Sequence, residues 1–148
     1  MTKTFIVINP AAAKNAREPI LEAMSRHFSS PYIDYEIYET AKGDKPGDIV
    51  RKRLRDFDLV VAAGHDGTVS AAIDGLVGSS VPLGIIPAGT GNLIARELGV
   101  PLEIEDAVAL IAGAHIFRKI DAMTTGKRVY VLNASLGISP FDMAKLFS

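Results

Sequence analysis

The strongest constraint on this chain is a recurrence: an apolar run, a polar corner containing glycine, proline or threonine, then a helix-compatible segment. Residues 5–8 (FIVI) run into Asn9-Pro10, and helical residue types follow over 15–28. Residues 32–39 (YIDYEIYE) alternate polar and apolar, the period-two signature of a strand with one wetter face. That run ends at Thr40, and the loop AKGDKPGD leads into a short charged helix over 48–55. Residues 58–63 (DLVVAA) precede Gly64-His65-Asp66-Gly67-Thr68 and a helix to about Leu76. Residues 81–86 (VPLGII) precede Pro87-Ala88-Gly89-Thr90-Gly91-Asn92 and a helix through Leu98. Residues 103–112 read as one more helix, with Ile104, Ala107, Val108 and Ile111 on one face.

Continuous β-branched strands separated by helices predict a parallel sheet covered on both sides. Right-handed crossovers make that a three-layer αβα, doubly wound, mainly parallel α/β fold. The tail reads differently. Residues 115–121 and 129–134 are strand-like, but the link Thr-Thr-Gly-Lys-Arg is too short for a helical crossover, so a hairpin or a departure from the sheet is expected. At 148 residues the chain is sized for one core.

With 16 Lys and Arg against 17 Asp and Glu, the net charge is −1, and no global positive field collects nucleic acid. The absence of cysteine excludes disulfides, thiolate catalysis and thiolate-bound metals. No apolar stretch reaches the ~18 residues of a membrane span and no secretory leader is evident, so a cytoplasmic domain is expected, at most peripheral at a membrane.

In a parallel sheet every strand-to-helix corner falls at the carboxyl edge, where open α/β sheets bind ligands. Each following helix begins with unpaired N–H groups carrying about half a positive charge. Two of the corners are glycine-rich, which lets a ligand approach the backbone closely. Unpaired donors, a favourable dipole and no Cβ in the way suit a phosphate chain, and Thr40, Thr68 and Thr90 add hydroxyls. The edge therefore reads as a nucleoside triphosphate site. Turn chemistry alone is the competing account of each corner: Asp66, Thr68 or Asn92 can simply cap a helix. A carboxylate beside phosphate repels it unless Mg²⁺ bridges the two or the carboxylate takes a proton from an attacking hydroxyl. Asp66 is thus either a plain cap or the most functional residue in the chain.

Other motifs are absent. Gly126-Lys127 is followed by Arg128 and lacks the earlier glycine of a P-loop, while Ile94 occupies the last position of the G-x-G-x-x-G pattern that starts at Gly89. There is no G-x-S-x-G elbow, and His27, His65 and His115 are isolated. The basic run Arg51-Lys52-Arg53-Leu54-Arg55 reads as a solvated helix face in preference to a lipid headgroup contact.

Taken in order, these features resemble the diacylglycerol kinase catalytic domain, shared by diacylglycerol, sphingosine, ceramide and bacterial lipid kinases. An early strand ends in Asn9-Pro10, Thr40 ends the second, and GHDGT stands for the family's GGDGT. PAGTGNLIARELGVP, residues 87–101, is similar to the family's P-x-G-T-x-N-x-x-A-R-x-L-G-x-P, a long and specific pattern. NAD kinases share GGDGT but not this second stretch. The resemblance implies an NAD kinase/diacylglycerol kinase-like fold, ATP and Mg²⁺ as cofactors, and phosphoryl transfer to a lipid hydroxyl such as that of diacylglycerol. It further implies that Asn9, Thr40, Gly64, His65, Gly67 and Thr68 line the ATP site with Gly89, Thr90 and Asn92 nearby. Asp66 would be the catalytic residue, assisting the metal or the acceptor hydroxyl.

Three departures bear on this. His65 replaces a glycine, which costs free energy if the position needs a positive φ; its ring could alternatively donate to phosphate. The first corner, Ala11-Ala12-Ala13-Lys14, lacks the family's glycine. Family enzymes also continue into a β-rich second domain. Residues 1–126 are accordingly expected to be the nucleotide-binding domain, with 127–148 the start of a truncated second domain or an oligomerising tail. An incomplete cleft predicts little lipid kinase activity for this chain alone. The apolar segment 129–138 predicts strand pairing with a second copy. A non-catalytic nucleotide-binding or regulatory module is the alternative function, an NAD kinase relative a less favoured third.

Overall fold

The computed structural model describes residues 1–11, 13, 15–125 and 128–131. Four parallel strands, β1 (Thr2–Ile8), β2 (Ile33–Glu39), β3 (Leu59–Gly64) and β4 (Leu83–Pro87), lie side by side in the order β2-β1-β3-β4. The connecting helices are α1 (Arg17–His27), α2 (Pro46–Arg53), α3 (Asp66–Leu76) and α4 (Leu93–Leu98), followed by α5 (Ile104–Ala112).

Strand side chains alternate between faces, and the sequence puts apolar residues at every position of β1 from Phe5 to Ile8 and of β3 from Leu59 to Ala63. Two cores result. One face carries Ile6, Ile8, Val61, Ala63 and Ile86 against Ile20, Ala23 and Met24 of α1 and Val108 of α5. The other carries Phe5, Val7, Val60, Ala62 and Ile85 against Val50 of α2, Val69 and Ala72 of α3 and Ile94 of α4. This is the expected three-layer doubly wound arrangement, and every helix lies within a few residues of its expected position. In α5, Ala107 and Val108 are buried, and Ile104 and Ile111 pack on the same core.

The alternating run forms β2, an edge strand paired only with β1 among the described residues, with Asp34 and Glu36 in solvent. The basic run is largely committed. Arg53 pairs with Glu36 and lies over the rings of Phe5 and Phe57, and Arg51 pairs with Asp48 and Asp74. Exposed pairs of this kind are worth at most about 1 kcal/mol, so the two apolar cores carry the fold.

The tail corrects one expectation. Residues 115–121 form no strand; among the described residues they find no strand to pair with, and Ile116 and Phe117 are exposed. The strand begins later, as β5 (Met123–Thr125), which pairs antiparallel with β6 (Arg128–Tyr130) in a separate two-stranded sheet. A hairpin was one of the two expected outcomes. Most of the segment expected to pair with a second copy, residues 132–138, lies outside the described residues.

Candidate functional site

Parallel pairing carries all four corners to one edge. Register places Ile8 beside Glu39 and Ala63, and Gly64 beside Pro87. The backbone stitches the corners together: Thr40 N–H donates to the Ile8 carbonyl (2.9 Å), Asn9 N–H to Ala63 (3.3 Å) and Ala88 N–H to Gly64 (2.9 Å). The chain leaves β1 for α1 on one face and β3 for α3 on the other, so the topological switch point lies between Asn9 and Gly64. Asn9 shapes its own corner, its Oδ1 accepting from Ala11 N–H (3.2 Å).

The two glycine corners touch. A Cβ on Gly89 would lie 2.5 Å from His65 Cβ and 2.8 Å from its Cα, and one on Gly64 would lie 2.7 Å from Thr68 Oγ1. Both positions therefore need glycine for close approach. Asp66 joins the corners, because its Oδ1 accepts the Ile94 N–H at 3.0 Å, on the first turn of α4. Capping is real here, but it is capping of the neighbouring helix. Asp66 Oδ2 lies near Gly91, 3.2 Å from where a Cβ would sit.

The cap of α3 is His65. Its Nδ1 accepts from Gly67 N–H at 2.9 Å and, more loosely, from Thr68 N–H at 3.3 Å. The expected conformational cost is absent: His65 has φ −81° and ψ 176°, ordinary extended backbone. Nor does Nδ1 donate to a ligand here, because it is an acceptor, which places the ring proton of the neutral imidazole on Nε2. Thr68 is not a side-chain cap either. Its Oγ1 is buried without a hydrogen-bond partner among the described residues, the kind of group that demands an explanation.

Asn92 is the one non-glycine residue with positive φ among those described (51°), and its side chain does not cap α4. Its Oδ1 accepts from Gly89 N–H (3.0 Å) and its Nδ2 donates to the Gly89 carbonyl (2.8 Å), locking the 89–92 turn. Arg96 Nε donates to the Gly91 carbonyl at 3.0 Å, a brace that the Ala-Arg of the sequence pattern signals only by its presence. Thr90, between them, is exposed, and its N–H has no partner among the described residues.

A cleft of about 650 Å³ opens over this edge, bounded by the loop after β1, the corner after β4, α1 and the start of α5. Gly89, Thr90 and Asn92 line it; Gly64, Asp66, Gly67 and Thr68 do not, lying beside it past the contact between His65 and Gly89. Charged residues that the corner motifs do not reveal complete the wall. Arg26 of α1 binds Glu105 of α5 (2.5 Å), and His27 Nε2 is 2.7 Å from the same carboxylate. Hydrogen bonds from Arg26, then His27, hold the Glu105 carboxyl down at about 2. Across the edge, Arg17 grips Glu39 beside Thr40 through Nε and Nη2, holding that carboxyl below its usual range.

Tested against a nucleotide, the residues fit in part. Among the described residues Thr68 Oγ1 is unsatisfied and the Thr90 N–H has no partner; against this, the spaces beside Gly64 and Gly89 are taken by Thr68 and His65, and the Gly67 N–H is occupied by His65. Asp66 has one oxygen beyond its bond to Ile94. No group of three or more acidic or histidine residues surrounds it among the described residues, so a metal there would take most of its ligands from phosphate and water.

The profile of the diacylglycerol kinase catalytic domain matches residues 3–125. A diacylglycerol kinase of Bacillus subtilis is 32% identical over 106 residues, covering 70% of this chain and 35% of that protein. One of Staphylococcus saprophyticus is 30% identical over 135 residues, covering 89% of this chain and 44% of that protein. A crystal structure of a diacylglycerol kinase from Bacillus anthracis superposes with a TM-score of 0.74 at 27% identity, covering 87% of this chain and 45% of that one. The chain thus spans less than half the length of these relatives. With four parallel strands, two touching glycine corners and a match over residues 3–125, the chain belongs to the diacylglycerol kinase catalytic domain family.

Proposed function

We propose that this chain is the ATP-binding part of a lipid kinase, serving phosphoryl transfer from ATP to a lipid hydroxyl such as that of diacylglycerol. The observation that carries the reading is the junction of the two glycine corners at one edge, tied by the hydrogen bond from Ile94 N–H to Asp66. Phosphoryl transfer is catalysed mainly by positioning and charge stabilisation, and the corners offer a group for each: a backbone donor at Thr90 and a carboxylate anchored to a second loop. Mg²⁺, when bound, neutralises phosphate charge, and Asp66 is the residue here that would hold it. Asn9, Thr40, Gly64, Gly67 and Thr68 bound the site from the β1, β2 and β3 sides, and Gly89, Thr90 and Asn92 from the β4 side. The lipid acceptor, any peripheral membrane contact and a cytoplasmic location belong to the same proposal. Because the relatives are more than twice as long, the 148 residues by themselves are expected to bind nucleotide without turning over lipid.

The experiment is an ATP titration with and without Mg²⁺ on the native protein and on Asp66→Asn. Asparagine keeps an oxygen for Ile94 N–H while removing the charge, so the fold is retained. Mg²⁺-dependent binding that Asp66→Asn abolishes supports the reading. Equal binding by both proteins reduces Asp66 to a cap, and favours a non-catalytic nucleotide-binding module. His65 on the Gly67 N–H is the observation that favours this second reading.

A further inference from the structure

The α3 corner contains its own stand-in for an anion. Helix N-termini attract anions because their first N–H groups lack partners. Here, in an 11-residue helix, the Gly67 N–H is already bonded to His65 Nδ1 at 2.9 Å, and the Thr68 N–H is shared between Nδ1 and the His65 carbonyl. The ring lies across the cradle: a Cβ on Gly67 would sit 2.6 Å from His65 Cε1, so the space that glycine leaves open is filled by imidazole. Yet the same turn buries Thr68 Oγ1 with no partner among the described residues, against the close-packed Gly64 corner. An exposed ring thus occupies donors of the kind phosphate uses, while the buried hydroxyl of Thr68 on the same turn, against Gly64, has no partner among the described residues. His65 is exposed and belongs to neither core, so its bond to Gly67 N–H can be exchanged for another acceptor without disturbing either.

We infer that His65 is an intramolecular competitor at the phosphate cradle, setting nucleotide affinity by occupying the Gly67 N–H until a phosphate oxygen replaces its Nδ1. The inference rests on the nucleotide reading above and adds a determinant of affinity to it. Removing the ring frees the donor in the unliganded protein. A bound phosphate then gains that hydrogen bond without giving up the one to imidazole. Asparagine places Oδ1 the same number of bonds from Cα as histidine places Nδ1, so it can occupy the donor in the same way.

Calorimetric titration with inorganic tripolyphosphate and with ATP·Mg²⁺ compares the native protein, His65→Ala and His65→Asn, with folding checked by circular dichroism. His65→Ala is expected to bind both probes about tenfold tighter, the equivalent of one hydrogen bond. His65→Asn is expected to stay within about twofold of the native protein, as a retained cap. In ¹⁵N spectra of the native protein, saturating tripolyphosphate should move the Gly67 amide and the His65 ring nitrogens together. If all three proteins bind alike with the ring signals unmoved, the competitor role is wrong while the nucleotide reading stands. Weaker binding by His65→Ala would make the ring a ligand contact and also overturn it. If none binds either probe, both readings fall. Should His65→Ala fail to fold, the native ring signals decide alone.

Discussion

The two glycine corners look alike in sequence and are built in opposite ways. At the end of β3, the cap comes from within the turn: His65 caps its own helix, and among the described residues the hydroxyl of Thr68 has no partner. At the end of β4, the turn is held from outside and behind: Asp66 takes the Ile94 N–H from across the junction, Asn92 locks Gly89, and Arg96 holds Gly91. One corner covers a donor of the kind a phosphate would use. The other leaves the Thr90 N–H without a partner among the described residues, at a residue that lines the cleft. A Gly-Thr motif therefore marks a corner with helix-start N–H groups, but the neighbouring side chains decide which of those groups stay available to a ligand.

The sharpest way to break this contrast is at the contact itself. Gly89→Ala drives a Cβ to 2.5 Å from His65 Cβ, with the backbone Cα only 2.8 Å away, and overpacking of that kind costs about 3 kcal/mol. A chemical denaturation midpoint equal to the native one would show that the corners do not press on one another. Asp66→Ala comes next, since it strands the half-buried Ile94 N–H and should destabilise by about 2 kcal/mol, with Asp66→Asn close to native. Similar losses for both variants would mean that charge, not the hydrogen bond, joins the loops.

Asn92 tests the same corner more gently. Asn92→Ala loses two hydrogen bonds and puts alanine at φ 51°, so about 1–2 kcal/mol is expected, of which Asn92→Gly should recover the backbone part. If Asn92→Gly is no better than Asn92→Ala, the left-handed conformation is not what asparagine supplies. On the opposite corner, His65→Ala removes only a cap and should cost about 1 kcal/mol.

The smallest effect concerns the cleft wall. Glu105 titrates at about 2 against an ordinary 4.5, because Arg26 and His27 bind its charged form. A depressed value means the contribution is fully present above 4.5 and is lost as pH falls through about 2, so acidification should loosen α1 from α5 in that window. An NMR titration of the Glu105 carboxyl with a midpoint near 4.5 would remove the clamp from the account.

Much of this molecule was legible in its sequence. The parallel sheet follows from apolar runs at 5–8, 58–63 and 81–86, because strands buried on both faces cannot alternate, and from linkers long enough for helical crossovers. The edge location of Asn9, Thr40, Gly64 and Gly89 follows from that topology alone. Residues 115–121 show where such reading stops: a strand needs a partner edge, and composition does not say whether one is within reach.

What the sequence determined, then, is the layering and the common edge, since both depend on periodicity and connection length, which are local properties. What only the tertiary structure decided is the use of each polar group at that edge. Asp66 serves a helix 28 residues away, His65 turns inward onto Gly67, and Arg26 meets Glu105 from another helix. Hydrogen bonds are short-ranged and directional, so partners are fixed by where the fold delivers each group in space.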